Sequence, residues 1–194
     1  MRQFLITEHQ KGKFILGCIA LLLITGSIGL AKSIGLTPTF LHIIGAYLSI
    51  VFIFIVAYKA SLLFGFFSLL FGVLSTGGGT ILNLYRTIDS YDKWIHFFSG
   101  ILLAEVGRLF VVYLFKKYQL KLQQTMIALF AFLFSVSAAA VWEIYEFVVD
   151  LILSTHMQGN NFNTMGDVIS GTLGGLCYIG GYILPFCKRK NDKK

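Results

Sequence analysis

The sequence predicts an all-α fold, a polytopic transmembrane helix bundle of six spans with both termini cytoplasmic. Three observations carry that expectation. Of 194 residues, 56% are hydrophobic and only 13% are charged, with a mean hydropathy of +0.77. A soluble domain carries roughly 25% charged residues, so too few are present here to coat a water-facing globule. Apolar runs recur at the length of roughly 20 residues that crosses a hydrocarbon layer. The basic residues, finally, fall in short clusters in alternate turns, the pattern that sets orientation. The length suits a single integral membrane domain over 1–194.

The first span follows a short basic segment holding Arg2, Lys11 and Lys13 and runs from about Phe14 to Ala31. No small-x-small cleavage site precedes the next span, so it reads as an uncleaved helix rather than a signal peptide. A turn closed by Pro38 leads to a second span, about 40–58, with His42 at its mouth as an interfacial anchor. The third, about 61–84, is interrupted by Thr76-Gly77-Gly78-Gly79-Thr80. No GK[ST] follows those glycines, so close helix packing is preferred to phosphate cradling. The polar turn YRTIDSYDK opens onto a fourth span, about 94–115, and a fifth covers about 125–153 after the basic turn of Lys116, Lys117 and Lys121. That fifth run is longer than a hydrocarbon core needs, so it must tilt or project. The loop STHMQGNNFNTM precedes a sixth span, about 166–186, which ends in Lys188, Arg189 and Lys190.

Orientation follows from charge. Arg2, Lys11, Lys13, Lys59, the Lys116–Lys121 turn and the basic tail lie on one side, against Lys32, Arg86 and Lys93 on the other. The richer side is the cytoplasmic one. The net charge of +7 is therefore orientation signal and contact with anionic lipid. Membrane lipids are the expected partners and nucleic acid is not; the oligomeric state stays open. Cys18, Cys177 and Cys187 have no paired spacing and read as small buried hydrophobes.

Against this apolar background the acids stand out. Glu143, Glu146 and Asp150, spaced by 3 and 4 in SAAAVWEIYEFVVD, share one helix face where a membrane helix should carry no acid. Acids at membrane depth are costly and normally face a partner, a wet cavity or an ion. Asp89, Asp92 and His96 repeat the spacing at the start of the fourth span, and Asp167 opens the sixth. With both termini inside, all of these arrive in the outer membrane layer. One histidine with several carboxylates from three helices is the composition of a divalent-metal or proton-handling site. Asp92, His96, Glu143, Glu146, Asp150 and Asp167 are the candidate ligands, and His96, Glu143 and Glu146 the candidate catalytic groups. Plainer readings accompany them. Asp89 suits a solvated turn, Asp92 and Asp167 a helix start, Asp150 a wet interface, and Glu105 with Arg108 a mutual neutralisation.

YDKWIHFFSG (91–100), WEIYEFVVD (142–150) and NTMGDVISGTLGG (163–175) resemble the YjdF-like family of uncharacterised bacterial inner-membrane proteins. The DK-x-x-HF piece taken alone is also similar to VanZ-like membrane proteins. The resemblance implies a multi-pass protein of the bacterial plasma membrane and supports the same site residues without implying a reaction. The family pattern has an acid where this chain has Asn163, which implies a site poorer in negative charge.

Three function classes are compatible with these residues. One is a metal-assisted enzyme acting on a lipid or lipid-linked substrate, with a divalent ion as its cofactor and an acid or His96 as general base. Another is a proton- or ion-coupled transporter, against which the lack of a visible inverted repeat counts. The third is a non-catalytic factor that binds lipid or a partner protein.

Overall fold

A computed structural model describes residues 8–121 and 123–183. Seven α-helices make up the described chain: α1 (Glu8–Ser33), α2 (Phe40–Ala57), α3 (Leu62–Gly72), α4 (Leu84–Thr87), α5 (Tyr91–Lys117), α6 (Gln124–Leu153) and α7 (Asn161–Tyr178). Two π-helical segments, Val73–Ile81 and Ile179–Ile183, continue α3 and α7. No strand occurs among the described residues.

Five segments are long and apolar enough to cross a membrane: Gln10–Ser33, Phe40–Ala57, Leu62–Ile81, Tyr91–Lys117 and Gln124–Leu153. The segment expected as a sixth span is helical in its described part, but α7 is not one of these five. It carries Asn161, Asn163, Asp167 and four glycines, and part of the expected run lies outside the described residues. It also starts earlier than hydropathy indicates, because Asn160 caps it by accepting the Asn163 backbone N–H at 2.9 Å. The outward faces are apolar: Leu22, Leu41, Phe52, Leu129, Ile144 and Leu151 are all exposed. Such a surface suits contact with hydrocarbon rather than water. Cys18 and Cys177 belong to it, correcting the expectation that they are buried, and Cys187 lies outside the described residues.

The chain divides into two compact units at the first turn of α5, between Asp92 and Lys93. Helix α5 is continuous across that point.

In the first unit α1, α2, α3 and the π segment after it enclose an apolar core centred on Ile24, Ile50 and Ile81, with Ala20, Ala31, Ala46 and Leu69. Thr39 and Ser61 cap α2 and α3 by accepting the backbone N–H groups of His42 and Phe64. The glycine run lies in the π segment and serves packing. A β-carbon at Gly77 would press on Ser27 and Ile24, and one at Gly79 would collide with the Tyr85 ring. Lys13 is buried and donates to the backbone carbonyls of Tyr58 and Ala60, tying the α2–α3 turn to α1.

In the second unit the inward face of α6 is a ridge of small residues, Ala131, Ser135 and Ala139, that ends in Glu143 and Glu146. The backbones of α5 and α7 touch along glycines. A β-carbon at Gly100 would strike the Gly171 carbonyl, and one at Gly174 would strike that of Phe97. Ser135 reinforces the seam by donating to the Gly100 carbonyl at 2.9 Å. Small residues allow this closeness between membrane helices.

Candidate metal centre

That seam sets the geometry of the polar residues. Gly100 lies four residues after His96 and Gly171 four after Asp167, about one helical turn in each case. Backbone contact at the glycine level therefore brings the preceding turns of α5 and α7 within side-chain reach. Glu143, one turn beyond Ala139 on α6, enters the same layer from a third helix.

Asp167 is 0% exposed and is held on both oxygens. Its Oδ1 accepts from Lys93 Nζ at 2.8 Å and its Oδ2 from Asn163 Nδ2 at 2.7 Å. Lys93 Nζ donates further to Asn163 Oδ1 at 2.8 Å and to the Asn163 carbonyl at 3.1 Å. The stem of the lysine crosses Gly166, where a β-carbon would lie 2.8 Å from Lys93 Cε. His96 is buried, with Nε2 3.9 Å from Asp167 Oδ1 and 3.9 Å from Glu143 Oε1. Those separations exceed a hydrogen bond.

Asp92, His96 and Asp167 each offer one ligand atom, and the three atoms lie within 4.8 Å of one another. This group could hold a metal ion. Two carboxylates and an imidazole suit borderline divalent metals.

The remaining candidates sit as follows. Glu146 is buried on α6, and its Oε1 accepts the Trp142 indole N–H at 2.8 Å. Asp150 closes the α6–α7 loop: it accepts from Thr155 Oγ1 at 2.5 Å and from the backbone N–H groups of Met157 and Gln158 at 2.8 and 3.0 Å. Asp89 is exposed in the turn before α5. Glu105 and Arg108 do neutralise each other, through two 2.6 Å hydrogen bonds, and Tyr178 donates to the same carboxylate.

Lys93 and Asn163 are the two residues that sequence reasoning underrated, as an orientation charge and as a missing acid. The available signal was the spacing of four between Asn163 and Asp167, which puts both on one face of α7.

The model of the predicted membrane protein family DUF2238 matches residues 12–185. The chain belongs to this family. The YjdF-like proteins are the same family, whereas the likeness of the DK-x-x-HF segment to VanZ-like proteins finds no support in these matches. A Thermotoga maritima protein described as an uncharacterized protein is 35% identical over 101 residues, 52% of this chain and 50% of that one. The matched region thus spans about half the length of that relative. No solved structure matches. Membership makes this a predicted membrane protein, and its five candidate spans are consistent with a multi-pass arrangement.

Proposed function

We propose that this family member binds a divalent cation between α5, α6 and α7 and uses it in metal-assisted chemistry on a lipid or lipid-linked substrate. The observation that carries the reading is the convergence of Asp92, His96 and Asp167 ligand atoms within 4.8 Å in a protein with few charges to spare. Burying acids near a hydrocarbon layer costs several kcal/mol unless a cation or partner offsets it. Asp92, His96 and Asp167 would hold the ion, and Glu143, 3.9 Å from His96, would orient the imidazole or take a proton from attacking water. Glu146, fixed by Trp142, would complete the acidic wall.

Six spans with both termini cytoplasmic belong to the same proposal, with α7 and the segment after it as the sixth. The distribution of lysine and arginine supports that orientation. The site would then lie near the outer face of a bacterial plasma membrane, within reach of headgroups.

The test is metal content and affinity of the detergent-purified protein. Wild type is expected to hold about one manganese, zinc or cobalt ion per chain, with binding lost in Asp167→Asn and His96→Ala. Failure of the folded wild type to bind any of these ions sinks the cation reading. Metal binding together with ion flux in vesicles, abolished by the same variants, would instead make the site that of an ion-coupled carrier.

A further inference from the structure

Asp167 already has a cation, and it is covalently attached to the protein. The Lys93 ammonium is surrounded by three oxygens, Asp167 Oδ1 at 2.8 Å, Asn163 Oδ1 at 2.8 Å and the Asn163 carbonyl at 3.1 Å. An all-oxygen nest around a compact positive charge is what a hard metal ion would also seek. Asp167 is enclosed while the Lys93 side chain is 30% exposed. The carboxylate is thus enclosed, while the lysine side chain reaches the surface. Gly166 lets the lysine stem lie close over α7, where a β-carbon would stand 2.8 Å from Lys93 Cε.

We propose that Lys93 is a tethered stand-in for the divalent cation, so that metal binding at Asp167 and release of the Lys93 ammonium are one exchange. The inference rests on the cation reading above and adds what that reading lacks, the group that holds the site together when no ion is bound. Two buried carboxylates beside His96 would repel one another without a positive charge. Lys93 supplies that charge, and the ion replaces it. The exchange keeps the net charge of the pocket low in both states and sets a threshold that the cation must exceed.

Substitutions at this one position should then move affinity in opposite directions. Lys93→Met removes the competitor and is expected to bind cobalt or manganese about tenfold more tightly than wild type. Lys93→Arg holds the carboxylate with a planar fork that engages both oxygens, and is expected to bind at least several-fold more weakly. A purely structural lysine would weaken binding in both variants. In unmodified protein, saturating cobalt should raise the rate at which an amine-reactive reagent labels Lys93, read by peptide mass spectrometry. That measurement needs no variant to fold. Metal binding in wild type with no tightening in folded Lys93→Met, or labelling that is unchanged or slower with cobalt, overturns the exchange and leaves the metal site standing. Binding in Lys93→Met but not in wild type sinks the cation reading for the native protein, and the exchange with it. Absence of binding in both removes the cation reading and the exchange together.

Discussion

The two compact units share a composition but bury different things. The first closes over isoleucine and alanine, with Lys13 the buried charged side chain among its described residues. The second buries His96, Glu143, Glu146 and Asp167. Their glycines differ in the same way. Gly72 in the first unit faces the flexible tips of Ile50 and Ile53, whereas Gly100 and Gly174 in the second face backbone carbonyls. Apolar helices can repack around a small intrusion. Helices in backbone contact cannot, because a carbonyl has no rotamer to change. The comparison teaches that the glycine seam of the second unit serves position more than stability. It determines how far Asp167 stands from His96.

Adding one methyl group to each seam is the largest test of that difference. Gly100→Ala must push α5 from α7 and is expected to cost about 1–3 kcal/mol or more, with loss of metal binding. Gly72→Ala meets side-chain ends at 2.7 and 2.9 Å, which can yield by rotation, and is expected to cost under about 1.5 kcal/mol with metal affinity unchanged. Thermal unfolding in detergent and cobalt titration of both variants check it. Equal effects would remove the distinction between the seams.

A smaller contrast concerns buried charge. Lys13 sits on two carbonyls at the α2–α3 turn and stays clear of any carboxylate among the contacts described. Lys13→Met keeps most of the apolar stem and loses the charged hydrogen bonds, a loss of about 1.5–3 kcal/mol. Stability should fall while metal affinity holds, which unfolding and titration on one preparation would separate. If Lys13→Met also changed affinity, the first unit would have a part in the site.

Much of this contrast was legible in the residues. Hydropathy located five spans within a few residues, and the 3–4 spacing of Glu143 and Glu146 placed both on the inward face of α6. His96, Glu143 and Asp167 were expected at one level from the alternation of the spans, and His96 Nε2 lies 3.9 Å from both carboxylates. What was not legible depended on backbone contact. Sequence shows that Gly100, Gly171 and Gly174 are small but not which helices they join. Without that pairing, Lys93 reads as an orientation charge and Asn163 as a gap in a motif. Burial of Cys18 and Cys177 was misjudged for a related reason: in a lipid-facing protein, being apolar no longer implies being inside.

Asp150 provides the finest division, because it lies on the same helix as Glu143 and Glu146 at the spacing that first grouped the three. Its carboxylate accepts two backbone N–H groups and the Thr155 hydroxyl, so the loop from α6 to α7 is built around it. Ser154, with φ of 52°, ends α6 in the left-handed region and turns the chain back toward those oxygens. Asp150→Ala should therefore loosen this loop, read as faster proteolysis between α6 and α7 and a lower Tm, with cobalt affinity within about twofold of wild type. Affinity falling as far as in Asp167→Asn would put Asp150 among the ligands and extend the metal centre to the end of α6. An unchanged affinity would confine it to the level where α5 and α7 touch.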